Sequence, residues 1–199
     1  MFTKERQLEL ISRAYGMAKE HGFHDVERSM QHYLMLVLGE VGEAVEADRH
    51  GFRANMGGFD YVVGNDEKDF QHAFKTFIKD TVEDELADVC IRLFDMMGAL
   101  CVDVRSDDMA VDDRKELFGR LYGGDTFCER CYTLCALLCR CDETRMQYDG
   151  GDGCVPVVLC AALGFICCMC DEMGIDIERH IELKMRYNSL RPIRHGKKY

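Results

Sequence analysis

Apolar residues recur along most of this chain at intervals of three and four, and period-two alternation is scarce, so the pattern predicts helices throughout. The first helix spans Thr3 to Glu20, with Thr3 as N-cap, an apolar face of Leu8, Ile11, Tyr15 and Ala18, and Gly22 as its stop. The second runs from Val26 to His50. Gly51 to Gly64, rich in glycine and aromatics, reads as a connecting loop. A third, long helix covers Glu67 to Cys101, with Phe70, Phe74, Phe77 and Ile78 on its first turns. Further helices are expected near Asp113 to Leu121 and from Asp125 to Cys141, followed by a polar loop at 142–153. An apolar helix from Pro156 to Met173 carries Pro156 in its first turn, and the last helix starts at the N-cap Asp176 and stops at Pro192. The expectation is one all-α domain over 1–199, a helical bundle whose core helices lie at about 3–101 and 164–191. Residues 103–163 form an inserted helical hairpin, read either as extra packing or as a surface for a second subunit.

Two acidic pairs stand out within this pattern. Glu40 and Glu43 lie in VLGEVGEAVEA, and Glu85 and Asp88 lie in VEDELADVCIRLFD. Each pair is spaced i, i+3, which places both carboxylates on one side of a helix, about 60° apart. Val37, Val41, Ala44 and Val45 flank the first pair, and Leu86, Val89, Cys90 and Leu93 flank the second. If the two apolar stripes pack together, four carboxylates meet at one rim of the core. Glu83 and Asp84 fall on other faces, while Lys75 and Lys79 point toward the second pair from earlier turns. A solvated helix face, with Asp88 and Arg92 as a plain i, i+4 ion pair, is the alternative.

Four convergent carboxylates repel unless a cation joins them. The pairs offer oxygen alone, which favours a hard ion, Mg²⁺ with Mn²⁺ as a substitute. Such an ion keeps positions for water and phosphate oxygens, so the chemistry suggested is metal-assisted attack on a phosphate ester or anhydride. Glu40, Glu43, Glu85 and Asp88 are the candidate ligands, with Glu40 serving either as ligand or as the group that orients and deprotonates water. On the last helix Lys184, Asn188 and Arg191 fall at i, i+4, i+7 and share a face suited to phosphate. The tail residues His195, Lys197 and Lys198 extend that basic end, which also suits the helix dipole. His32 and Tyr33, and Phe52, Phe59 and Tyr61 in the connector, offer rings for a base. Half-buried packing and an ordinary connector are the plainer readings.

The motifs Glu40-Val-Gly-Glu43 and Glu85-Leu-Ala-Asp88, the run ELADVCIRLFD and the tail IELKMRYNSLRPIRHGKKY resemble the MazG-like all-α nucleoside triphosphate pyrophosphohydrolases. That superfamily also includes the dimeric dUTPases and the phosphoribosyl-ATP pyrophosphohydrolases. The likeness covers about the first half and the last thirty residues, and about 103–163 have no counterpart. It implies a helical bundle that assembles as a homo-oligomer, a dimer or tetramer. It also implies Mg²⁺-dependent cleavage of a nucleoside triphosphate between its α- and β-phosphates, giving the monophosphate and pyrophosphate. A non-catalytic helical module that binds nucleotide or a protein partner is the second expectation, because the insertion and the cysteine load depart from the family.

Composition narrows the partners. A formal charge of −11 argues against a general nucleic-acid binder. No apolar run reaches the ~18 residues that cross a bilayer, and the charged N-terminus MFTKERQLEL lacks a signal-peptide core, so a cytoplasmic protein without a membrane partner is expected. The 12 cysteines then read as small core hydrophobes rather than disulfides or zinc ligands. Cys128, Cys131, Cys135 and Cys139 follow a helical stripe.

Overall fold

The computed structural model describes residues 2–64, 66–102, 104, 126–147 (backbone alone at 142–147) and 155–192. The helix expected at Asp113 to Leu121, most of the polar loop and the tail residues His195, Lys197 and Lys198 lie outside the described residues. Among the described residues the chain is all-α. In order its helices are α1 Lys4–Glu20, α2 Met30–His50, α3 Met56–Val62, α4 Glu67–Phe77, α5 Val82–Ala99, α6 Phe127–Gln147, α7 Val155–Met173 and α8 Ile177–Ser189.

Side-chain caps set most of the starts. Thr3, Ser29, Asp66, Thr81 and Asp176 each accept a hydrogen bond from the backbone N–H three residues on, satisfying a donor the helix itself cannot. α2 ends at Gly51, whose φ of 69° is the left-handed conformation glycine adopts without a steric penalty.

α5 is the axis. Of its 18 residues 14 are buried, because α1, α2, α7 and α8 all pack around it. α6 covers α2 and α7. α3 and α4 pair with each other, and α4 reaches the bundle through α8, around a separate small core of Phe59, Phe70, Ala73, Phe74, Ile78 and Tyr187. There the Phe74 and Tyr187 rings stack with centroids 4.4 Å apart.

Several expectations are corrected. The single long helix from Glu67 to Cys101 is two helices. The chain turns at Ile78 to Thr81, where Asp80 takes a φ of 62° and Thr81 caps α5. Continuous apolar periodicity hid this break, although Thr81-x-x-Asp84 has the form of a helix start. With the break, Lys75 and Lys79 belong to α4; Lys75 is exposed and Lys79 pairs with Asp80. The connector holds a short helix, α3, and its Phe59 is committed to the small core while Phe52 and Tyr61 are exposed. α2 starts at Met30 rather than Val26, because Ser29 caps it. α1 is rotated from the expected face: Leu10 and Ala14 are buried, and Leu8 is 46% exposed. α6 continues through Gln147, into the expected loop, and α7 is unbroken from Val155 to Met173, so the boundary drawn at Leu163 falls inside one element. α8 ends at Ser189, leaving Arg191 in the turn beyond it.

α7 has the length and apolar character of a bilayer-crossing helix, contrary to the expectation that no stretch reaches that size, but most of it is buried inside this fold. Cys90, Cys131, Cys141, Cys167, Cys168 and Cys170 are buried, five of them within the main apolar core, and burial pushes the Cys131, Cys141 and Cys167 thiols up to about 12. Along the expected stripe, Cys128 and Cys139 are exposed.

Candidate metal centre

α2 and α5 lie side by side with their acidic pairs in opposite order, so that Glu40 meets Arg92 and Glu43 meets Glu85. Glu40, Glu43 and Glu85 each place one carboxylate oxygen within 4.8 Å of the other two. Glu40 and Glu85 are buried and Glu43 is exposed, so the group opens to solvent on one side. Such a cluster, all oxygen and open on one edge, fits a hard divalent cation better than a soft one.

The fourth carboxylate is engaged otherwise. Asp88 Oδ2 accepts a hydrogen bond from the Lys184 ammonium at 2.8 Å, and the same ammonium donates to Asp84 Oδ2, also at 2.8 Å. Lys184 is 5% exposed and Asp84 1%. Burial alone would lower the Lys184 pKa, but Asp88 and Asp84 outweigh it and hold the amine charged. Lys184 therefore faces the acidic helix. Asn188 and Arg191 instead line a cavity of about 50 Å³ together with Glu40, Asp88, Phe23 and Arg92. Asn188 is 6% exposed and its Oδ1 meets no protein donor.

The electrostatics follow from burial. Glu85 is pushed up to about 8 by desolvation, with Asp84, Asp88 and Glu43 adding to it and Lys184 opposing it. Glu40 is raised by desolvation and by Asp88, and Arg92 partly offsets this through its charge and a hydrogen bond from Nε to Oε1 at 3.1 Å. Asp84 rises to about 6, again by burial first, with Lys184 pulling it back. Carboxylates with raised pKa values grouped at one rim are a poor arrangement for an isolated fold and a good one for binding a cation.

Sequence reasoning missed the burial of Asp84 and Glu83, the Arg92–Glu40 bond and the His24–Asp95 pair. Asp84 and Glu83 are both buried rather than outward-facing; Asp84 takes Lys184, and Glu83 accepts the Ala54 N–H at 2.9 Å. The break at Thr81 starts α5 here, so its first turns are packed by α8 and the connector. Arg92 bonds Glu40 across the helix pair rather than Asp88 along the surface. It lies i+7 from Glu85, on the same stripe, which was legible in the sequence. Asp95 also lines the cavity, and there His24 Nε2 lies 2.7 Å from Asp95 Oδ1, with its Nδ1 3.3 Å from the Tyr33 hydroxyl. Tyr33 is thus engaged by His24, and His32 packs edge-on against it.

Comparison of the chain with protein-family models, with curated proteins and with solved structures found no match.

Proposed function

We propose that this chain is a Mg²⁺-dependent, MazG-like nucleoside triphosphate pyrophosphohydrolase that releases the nucleoside monophosphate and pyrophosphate, acting in the cytoplasm as a homo-oligomer. The observation that carries the reading is the convergence of Glu40, Glu43 and Glu85 from two helices, with one oxygen of each within 4.8 Å of the other two. The sequence likeness of the two motifs and the C-terminal segment supports it. The cavity beside the cluster is lined by Arg191, Asn188 and Arg92, side chains that bind phosphate and sugar oxygens well.

Glu40, Glu43 and Glu85 would hold the ion, while Asp88, expected as a fourth ligand, is held by Lys184 beside them. Bound there, Mg²⁺ supplies charge to phosphate oxygens and acidifies water. Glu40, buried and raised in pKa, orients the attacking water and accepts its proton, while Arg92 fixes which way its carboxylate faces. Arg191 grips phosphate oxygens through its planar fork. Asn188 offers its unpaired Oδ1 to a hydroxyl of the sugar. Phe23 also lines the cavity, with the Arg92 guanidinium 5.8 Å from its ring centre.

The second reading is a non-catalytic helical nucleotide-binding or protein-interaction module. It draws on the two ion pairs, Arg92 with Glu40 and Lys184 with Asp88, which neutralise two of the four expected ligands without a metal. A panel of ribo- and deoxyribonucleoside triphosphates with Mg²⁺, assayed for monophosphate and pyrophosphate together, separates the two. Equimolar release of both products supports the enzyme, and nucleotide binding without turnover supports the module.

A further inference from the structure

We propose that the Lys184 ammonium is this centre's resident second cation, seated between Asp84 and Asp88 where a two-ion centre would hold a second metal. The inference rests on the metal-centre reading above and deepens it. Two carboxylate groups share one residue here. Glu40, Glu43 and Glu85 form the first, and Asp80, Asp84 and Glu85 form the second, each with oxygens within 4.8 Å of one another. A shared carboxylate between two such groups is the arrangement of two-ion phosphoryl sites, whose ions sit roughly 3.5–4 Å apart.

In this chain Asp84 of the second group already has a positive charge against it, shared with Asp88 one turn on, which belongs to neither group. Lys184 Nζ lies 2.8 Å from Asp84 Oδ2 and 2.8 Å from Asp88 Oδ2, with the lysine side chain 6% exposed and that of Asp84 0%. Asp84 Oδ2 also accepts the Asp80 N–H at 3.0 Å, whereas its Oδ1 is buried with no protein donor. That oxygen is a spare acceptor on the carboxylate that holds the ammonium, while Asp80, at the exposed edge of the group, pairs with Lys79. Removing the ammonium would leave Asp84 and Asp88 as uncompensated charges beside Glu85, a costly state unless another cation enters. An ammonium differs from a metal ion in one respect that matters chemically. It contributes charge and N–H donors but no open coordination position, so it cannot acidify water. The centre then uses one exchangeable ion for water and phosphate, and a fixed lysine for the remaining charge. α8 delivers that lysine, so α8 must be docked for the centre to be complete.

The test is the number of Mn²⁺ ions per chain, counted by equilibrium dialysis at saturating Mn²⁺ on full-length protein. One ion is expected in the wild type and two in Lys184→Gln, because the second ion takes the place the ammonium leaves. Two ions in the wild type, one in Lys184→Gln, or a Lys184→Gln chain that stays unfolded in saturating Mn²⁺ would each overturn the inference. The Asp84→Asn/Lys184→Gln chain is expected to bind one ion; a count of two would remove Asp84 from the second position and overturn it as well. None in the wild type would sink the metal-centre reading itself, and this inference with it. These counts stand whether or not any nucleotide is turned over.

Discussion

Arg92 Nε lies 3.1 Å from Glu40 Oε1, and through this bond α5 fixes the orientation of a buried carboxylate on α2. Glu40 is raised by burial and by Asp88, and Arg92 is the group that opposes this by favouring its ionised form. Arg92→Gln should lower turnover and move the acid limb of the pH–rate profile upward, because the cation that favours the ionised carboxylate is gone. An acid limb that stays in place would show that Glu40 does not act as the proton acceptor.

The metal-free protein should lose stability as pH rises. Glu85 has an ordinary value of 4.5 and a folded value of about 8, and Asp84 goes from 3.8 to about 6. Between each pair of values the folded chain keeps a proton that the unfolded chain has released, so unfolding becomes easier as pH climbs and levels off above about 8. The groups facing Glu85 are Glu40 and Glu43 from α2, Asp84 and Asp88 on its own helix, and Lys184 from α8. Mn²⁺ requires the deprotonated carboxylate, so its affinity should rise over the same range. Thermal unfolding in chelator and in Mn²⁺ at several pH values measures both trends. Glu85→Gln should flatten the metal-free slope.

A methyl group added at Gly98 would lie 2.5 Å from Tyr15 Cβ, where α1 crosses α5. Neither backbone can yield without disturbing the main core, so Gly98→Ala should cost about 1–3 kcal/mol by overpacking. Chemical denaturation measures the loss. An unchanged midpoint would mean that α1 sits farther from α5 than described.

α1 is also stapled to α8 on the surface. Glu182 accepts hydrogen bonds from Arg6 at 2.5 Å and from both terminal nitrogens of Arg13 at 2.6 and 2.7 Å. The hydrogen bond from Arg13 is the main reason that Glu182 is lowered to about 2. A lowered carboxylate stabilises the fold above its unfolded value and loses that contribution as pH falls from about 4.5 toward 2. The Glu182 side chain is 37% exposed, so screening limits the effect. Glu182→Gln should cost about 1 kcal/mol, less in high salt. Urea unfolding at pH 7 and at pH 3 distinguishes this, since the gap between the variant and the parent should narrow at the lower pH.

The helical class and most element positions were legible because the core-facing residues of α2, α7 and α8 keep a clean three-to-four spacing. The caps at Thr3 and Asp176 also carry the residue types such positions select. The break at Thr81 was not, since Phe70 and Phe74 on α4 continue the apolar spacing into α5 while packing against a different partner, Tyr187. The acidic pairs were legible as pairs on helix faces. What they meet was not: Lys184 is separated from Asp84 by 100 residues, and Arg92 from Glu40 by 52. Burial of Asp84 depends on how α8 crosses the start of α5, which no local pattern encodes.

Mn²⁺ binding by electron paramagnetic resonance, comparing the wild type with Glu43→Gln near pH 8.5, addresses the cluster most directly, since Glu43 is its exposed member and its loss should leave the core intact. Saturable binding in the wild type, weakened at least tenfold in Glu43→Gln with both chains folded, is the expected result. Equal binding by the two chains, or none by either, would contradict a cation centre at Glu40, Glu43 and Glu85.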